Sequence, residues 1–124
     1  MAMLRKKLRN IRYTAEALTR MWREERSFRI QIWSVVPFLL LAVFFHIRAL
    51  EWAIISFACF MLVAVEFVNT AFERIGDAVT EKHDSRVGSA KELASAATFV
   101  TGTGLAIIFT VVLVPHFLNV LAHF

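Results

Sequence analysis

Four polar residues at the end of an apolar run have the side chains and the spacing that acid-base and metal chemistry require. They are separated by three, four and four positions and comprise Glu66, Asn69, Glu73 and Asp77. This spacing predicts that all four share one face of an α-helix, called the acidic face below. Glu66 follows the uncharged stretch 52–65 and is expected at membrane depth or at its edge. A carboxylate is costly there unless it is protonated, paired or metal-bound, so Glu66 is a candidate functional residue.

The polar residues near this position suit phosphoryl transfer. Carboxylate and amide oxygens favour a hard cation such as Mg²⁺, which often accompanies phosphates; the candidates are Glu25, Asn69, Glu73 and Asp77. Basic residues in the next segment are candidates to hold phosphate oxygens: Lys82, Arg86 and Lys91. Glu66 lies one to two turns deeper, where it can take the proton of a lipid hydroxyl as that oxygen attacks. The pattern predicts a phosphoryl transferase at the membrane surface.

The apolar runs that must position these groups are long enough to cross a membrane. The chain has 124 residues, of which 58% are hydrophobic, and its mean hydropathy is +0.61. Spanning a bilayer takes about 20 apolar residues, so three transmembrane helices are predicted, over 30–47, 52–73 and 93–121. The connector 48–51 is short enough for an antiparallel hairpin. The expected fold class is an all-α membrane protein with a single domain over 1–124.

The segment before the first span is predicted to be an amphipathic surface helix over 1–29. Its apolar residues recur every three or four positions and its basic residues occupy other faces, as in helices that lie in the membrane interface. The apolar stripe consists of Leu4, Leu8, Ile11, Ala15, Leu18 and Trp22. Small residues at the start of the third span favour close packing of helices, within the chain or between subunits.

The distribution of basic residues predicts the orientation. Nine precede the first span, four lie in the polar segment 74–92, and only Arg48 lies in the first connector. The positive-inside rule places the N-terminus and the 74–92 loop in the cytoplasm and the C-terminus outside. The formal net charge of +4 is close to the membrane, so anionic lipid headgroups rather than nucleic acid are the expected electrostatic partner.

Motifs of several soluble enzyme classes are absent from the sequence. There is no GxxxxGK[ST] phosphate loop and no glycine loop of the protein-kinase type. The four histidines lack zinc-ligand spacing, and the single Cys59 excludes an internal disulfide.

The acidic face resembles the signature of a known family. Residues 66–77, EFVNTAFERIGD, match the pattern E-x-x-N-[ST]-A-x-E-x-x-x-D of the prokaryotic diacylglycerol kinases. The segments 22–29 and 90–97 resemble the family's entries to its first and third spans. The resemblance covers nearly the whole chain. It implies a homotrimeric helical bundle in the bacterial inner membrane, ATP as phosphoryl donor, Mg²⁺ as metal, and active sites shared between neighbouring subunits.

The resemblance also implies roles for individual residues. Glu66 matches the general base, Glu25 and Glu73 match the metal-binding carboxylates, and Asn69 and Asp77 match the polar residues that order the cluster. The positions matching nucleotide contacts, besides Glu25 and Glu73, are Lys6, Tyr13, Lys91 and Glu92, together with 82–84. That segment reads Lys82-His83-Asp84 where the family commonly has E-Y-H, with the histidine one position early. The residues expected on the lipid side, besides Glu66, are Trp22, Phe28, Arg29 and Ser95.

The sequence leaves alternatives open for both the lipid substrate and the class of function. Diacylglycerol, phosphorylated to phosphatidic acid, is the expected substrate. However, Glu24-Glu25 followed by Phe28-Arg29-Ile30 is closer to the undecaprenol-kinase branch of the same family. A non-enzymatic proton or cation conductor would use Glu66 as relay. In a structural or assembly subunit, the acidic residues would only form ion pairs with nearby arginines.

Overall fold

The computed structural model describes residues 1–80 and 84–123, which form four α-helices and no strand. The helices are α1 (Ala2–Glu24), α2 (Arg26–Phe44), α3 (Ala49–Val79) and α4 (Ser85–Leu121). The last three are long and apolar enough to cross a membrane. The chain divides into two compact units, Met1–Val36 and Pro37–Phe124. The boundary lies within α2 at Pro37, whose ring nitrogen cannot donate a helical hydrogen bond. The expectation of an all-helical protein with three candidate spans is confirmed.

In the first unit, α1 ends where the backbone becomes extended at Glu25, and α2 begins at the next residue. Arg29 closes this end of α1, because its Nη1 donates to the carbonyl oxygens of Trp22 at 2.7 Å and Arg23 at 3.0 Å. Carbonyls in the last turn of a helix have no helical partner, so a side-chain donor stabilises the end. The predicted single surface helix over 1–29 is therefore corrected: its last four residues belong to α2. The apolar residues of the α1 stripe are largely exposed.

In the second unit, α2 ends at Phe44 rather than at the predicted residue 47. His46 adopts a left-handed conformation with φ of 51°, while the Ile47 N–H donates to the Ala42 carbonyl and the His46 N–H to the Val43 carbonyl. This pair of bonds is the usual way in which a helix closes before a sharp reversal. The chain then enters α3 at Arg48, whose backbone N–H donates to the Glu51 side chain in the first turn.

The helices α3 and α4 pack against each other as an antiparallel pair. A Cβ added to Gly102 would lie 3.9 Å from the side chain of Leu62, and one added to Gly76 would meet Val87 and Lys91. These contacts set the register between the helices. Apolar residues on both helices form the buried core, together with aromatic contacts such as the stacked rings of Phe38 and Phe109, whose centroids are 5.0 Å apart.

Both long helices extend beyond the predicted spans. The segment 74–92 was expected to be a loop, but α3 continues to Val79 and α4 starts at Ser85, so most of its described part is helical. Hydropathy marks the portion of a helix that suits lipid, whereas the helix itself ends where its backbone hydrogen bonds end. The acidic face therefore continues beyond the apolar run on one unbroken helix.

A polar cluster lies at the opposite end of this helix pair. Glu51 accepts hydrogen bonds from the backbone N–H of Arg48 at 2.8 Å and from Arg48 Nη2 at 2.9 Å. His116 Nε2 lies 3.7 Å from Glu51 Oε2, and His116 Nδ1 donates to the Val112 carbonyl at 2.9 Å. Arg48, Glu51 and His116 are called the far-end cluster below. The Glu51 hydrogen bond, reinforced by its charge, raises the pKa of the Arg48 guanidinium above its usual value.

Candidate active site

The acidic face begins with a deeply buried carboxylate. Glu66 is 1% exposed and is one of the two largest fully buried side chains among the described residues. The three-and-four spacing predicted from the sequence is realised in α3, where Leu62, Glu66, Asn69 and Gly76 form a buried stripe. Carboxylates are rarely buried this completely, which supports a functional reason for the residue.

One turn further along α3, an amide is held by a carboxylate. Asn69 Nδ2 donates to Glu73 Oε1 at 3.3 Å. This bond fixes the orientation of the amide group, because a carboxylate only accepts and must face the nitrogen. The other amide atom, Asn69 Oδ1, is buried and has no hydrogen-bond partner. Asn69, which was predicted to order the polar cluster, therefore contacts Glu73 directly. Its Oδ1 remains available to accept a hydrogen bond from a ligand.

A long-range ion pair joins α3 to α4 at the exposed end of the acidic face. Lys91 Nζ lies 2.5 Å from Asp77 Oδ1. The aliphatic part of Lys91 crosses α3 directly over Gly76, where an added Cβ would lie 2.6 Å from Lys91 Cε and 3.0 Å from Val87 Cγ1. Glycine at position 76 thus provides the space through which Lys91 reaches Asp77. The sequence indicated Lys91 as a nucleotide contact, but neither this pairing nor the role of Gly76.

Asp84 forms the start of α4. Its side chain accepts from the Arg86 backbone N–H at 2.8 Å, and its Oδ2 lies 3.2 Å from Arg86 Nη2. The hydrogen bond from the Arg86 side chain, followed by the one from its backbone N–H, lowers the pKa of the Asp84 carboxyl from its ordinary value of 3.8. Asp84 was predicted to contact ATP and Arg86 to hold phosphate. In the structure these two residues cap a helix and pair with each other.

The remaining predicted site residues are distributed over both units. In the first unit, Lys6, Tyr13 and Trp22 are exposed on α1, whereas Glu25 and Arg29 are partly buried and Phe28 is buried. In the second unit, Glu92 and Ser95 are exposed on α4. Lys82 and His83 lie outside the described residues. The proposed pairing of Glu25 with Glu73 at one metal ion stays a prediction.

The oxygen atoms of the acidic face fit a hard cation that arrives with a nucleotide. The carboxylate of Glu73 is partly buried, and its Oε1 accepts from Asn69 Nδ2. No group of three or more His, Cys, Asp or Glu side chains that could hold a metal is assembled within 1–80 and 84–123. Mg²⁺ commonly binds through one or two carboxylates plus phosphate oxygens and water. Glu73 is a donor of the type that a metal-nucleotide complex uses, and Mg²⁺ binding stays a prediction.

Three features of the site were not predicted from the sequence. They are the Asp77–Lys91 pair, the space above Gly76, and the buried Thr98 hydroxyl on α4, which has no hydrogen-bond partner. The first two depend on which part of α4 lies opposite the end of α3. The threonine has no local signal, because its type and spacing resemble those of the other threonines in the same helix.

Comparison with known proteins gives consistent matches. The model of the family described as prokaryotic diacylglycerol kinase matches residues 12–113. A diacylglycerol kinase of Helicobacter pylori (strain ATCC 700392 / 26695) is 30% identical over 88 residues, covering 71% of this chain and 69% of that protein. The undecaprenol kinase of Bacillus subtilis (strain 168) is 28% identical over 93 residues, covering 75% and 76%.

A third relative extends the aligned region. The diacylglycerol kinase of Escherichia coli (strain K12) is 24% identical over 105 residues, covering 85% of this chain and 86% of that protein. The matched region contains the acidic face and the start of α4. The family model covers most of the sequence, and three apolar helices fit a multi-pass protein of the bacterial inner membrane. The chain therefore belongs to the prokaryotic diacylglycerol kinase family.

Proposed function

We propose that this lipid kinase transfers the γ-phosphate of ATP to the free hydroxyl of diacylglycerol and forms phosphatidic acid. The observation that carries the proposal is the burial of Glu66 on the same helix face as Asn69, Glu73 and Asp77. A buried base at lipid depth, followed by oxygen donors toward one helix end, matches the two substrates: a lipid alcohol and a water-soluble triphosphate.

In the proposed reaction, Glu66 accepts the proton of the lipid hydroxyl as its oxygen attacks the γ-phosphorus. A bond forms between that oxygen and phosphorus, the bond between phosphorus and the β,γ-bridging oxygen breaks, and ADP leaves. Glu73, with Glu25 as the second expected ligand, would hold the Mg²⁺ that accompanies ATP, and the ion supplies charge neutralisation at the phosphates. Asn69 orients Glu73, and Lys91 exchanges Asp77 for a phosphate oxygen.

Undecaprenol is the second candidate substrate. The undecaprenol kinase of Bacillus subtilis aligns over a larger share of the chain than the Helicobacter pylori diacylglycerol kinase, at similar identity. Both lipids present a primary alcohol to the same base, so the choice between them depends on contacts around that alcohol. Membership of a kinase family favours either reaction over the proton or cation conductor.

The proposal extends to assembly and topology. In a homotrimer, small exposed residues of α4 near the start of the third predicted span would allow close approach of a neighbouring helix; they are Ser95, Ala96 and Ala97. The basic residues of α1 and of the 74–92 segment would lie in the cytoplasm, where ATP is available. The exposed apolar stripe of α1 would then rest in the membrane interface.

The decisive experiment uses purified protein in mixed micelles with γ-labelled ATP, Mg²⁺ and one lipid at a time. Label in phosphatidic acid is the expected result. Label that enters only undecaprenyl phosphate would support the second substrate. Absence of label from both lipids, with ion flux through liposomes that contain no ATP, would contradict a kinase.

A further inference from the structure

Two buried side-chain oxygens within the described residues have no hydrogen-bond partner: Asn69 Oδ1 on α3 and Thr98 Oγ1 on α4. A buried polar atom without a partner is destabilising, and such atoms are rare in folded proteins. Both lie in the second unit, on the two helices that pack together. The pair therefore requires an explanation that the rest of the fold does not supply.

Thr98 differs from the other threonines of its helix. Thr101, Thr103 and Thr110 each donate their hydroxyl to the carbonyl oxygen four residues earlier, all at 2.9 Å. Such a bond is the usual solution for a threonine inside a helix. The Thr98 hydroxyl makes no bond of this kind and is buried. Its donor is left for a partner outside its own helix.

The register of the helix pair places Thr98 at the depth of the proposed base. Gly102 lies against Leu62, and Gly76 lies against Val87 and Lys91. Between these contacts, Thr98 lies opposite the segment 66–69. It also falls on the stripe of α4 that contains Lys91 and Gly102 and contacts α3. The orphan hydroxyl, the orphan amide oxygen and Glu66 are thus gathered at one level of the second unit.

The two orphan atoms need complementary partners. Asn69 Oδ1 only accepts, because the amide nitrogen is committed to Glu73, whereas the Thr98 hydroxyl can donate. A ligand that satisfies both must present a donor and an acceptor close together. Diacylglycerol carries a hydroxyl and an ester group on neighbouring glycerol carbons. A polyprenol carries the same hydroxyl but continues as hydrocarbon and offers no second oxygen.

Building on the proposed kinase function, we propose that Thr98 is a specificity-determining residue of this protein. Its hydroxyl donates a hydrogen bond to an ester oxygen of the lipid. The lipid alcohol donates its single O–H to Asn69 Oδ1 on binding, and turns that proton to Glu66 when the carboxylate removes it. This arrangement selects an ester-bearing glycerolipid over a polyprenol.

The test compares three acceptors in the same micelles: a diacylglycerol, the corresponding dialkylglycerol ether, which keeps the hydroxyl but lacks both carbonyls, and a polyprenol. Wild-type protein is expected to prefer the diester to the diether by about tenfold in kcat/KM, the effect of one hydrogen bond. Thr98→Val, which keeps the shape and removes the hydroxyl, is expected to lower kcat/KM for the diester to the value for the diether. The diether value itself should not change.

Two matched variants separate specificity from packing. Thr98→Ser keeps the hydroxyl and is expected to retain the preference for the diester. Thr103→Val removes a hydroxyl that is already bonded to the Phe99 carbonyl in the same helix, and should leave the preference as in wild type. Because the readout is a ratio between two substrates on one preparation, partial loss of folded protein cancels.

The measured ratios between acceptors either support or contradict the proposed role of Thr98. An unchanged diester-to-diether ratio in Thr98→Val would overturn it, and so would an equal loss on both acceptors that Thr98→Ser shares. A wild-type protein that prefers the polyprenol would overturn the substrate selection while leaving the kinase intact. A wild-type protein that phosphorylates none of the three alcohols would instead contradict the proposed function.

Discussion

The two ends of the α3–α4 pair contain equally buried polar groups that differ in how many of their hydrogen bonds are formed within the protein. Glu51 in the far-end cluster and Asn69 on the acidic face are each 8% exposed. Both carboxylate oxygens of Glu51 have donors from Arg48, and His116 lies close to one of them. On the acidic face, Asn69 uses its nitrogen and leaves its oxygen without a partner.

This difference distinguishes buried polar groups that stabilise the fold from buried polar groups that can bind a ligand. A buried group whose hydrogen-bonding capacity is filled within the protein stabilises the helix end and has little to offer a ligand. A group that remains partly unsatisfied costs stability unless a substrate completes it. Burial alone would rank the two ends equally. Their internal bonding differs, which supports placing the proposed chemistry at the acidic face and a capping role at the far-end cluster.

The largest effect is expected from Glu66→Gln. The amide keeps the size of the side chain but cannot take the hydroxyl proton, so kcat should fall by roughly a thousandfold, as for loss of a general base. Phosphate transfer from labelled ATP to diacylglycerol measures the rate, and binding of a labelled nucleotide analogue should be nearly unchanged. Near-normal turnover in this variant would remove Glu66 as the base.

Next in size is the effect of losing a metal-binding carboxylate. Glu73→Ala and Glu25→Ala are each expected to raise the Mg²⁺ concentration for half-maximal activity by about tenfold or more, because an oxygen ligand is lost. A magnesium titration at saturating ATP gives this value. Glu16→Ala, which breaks an exposed pair with Arg12, is the matched control. An unaltered titration curve for either test variant would exclude that residue as a ligand.

A smaller effect is expected from Gly76→Ala. The added methyl group would collide with Lys91 and Val87, so Lys91 could not keep its path over α3. We expect KM for ATP to rise by about three- to tenfold, roughly one weakened charged contact, with a smaller change in kcat. Gly88→Ala is the control, since an added Cβ there meets nothing within 4 Å. Equal behaviour of the two variants would show that the space above Gly76 is not used.

The smallest effect on phosphate transfer is expected from Glu51→Gln, which tests the far-end cluster. It removes a charge from the far-end cluster and weakens the cap of α3, so the unfolding midpoint should fall. Activity per folded molecule should stay within about twofold of wild type. Thermal unfolding and transfer assays on the same sample measure both quantities. Loss of transfer in fully folded Glu51→Gln protein would break the distinction between the two ends.

The prediction of secondary structure was most reliable where the signal was local. Each predicted span lies largely within one observed helix, because long apolar runs and helical spacing are properties of neighbouring residues. Helix ends were less predictable. The break at Glu25 and the reversal at His46 depend on backbone conformation, which residue types favour only weakly at those positions. The roles assigned to Glu25, Glu92 and Ser95 remain predictions.

The amino-acid sequence by itself determined the apolar helices, the family, and the alignment of Glu66, Asn69, Glu73 and Asp77 on one helix face. These follow from spacing along a single helix. Only the tertiary structure decided that Lys91 pairs with Asp77, that His116 approaches Glu51, and that the Thr98 hydroxyl is buried without a partner. Such relations join residues far apart in the chain. They depend on the register at which α4 packs on α3, which side-chain packing along the whole interface sets and no local pattern encodes.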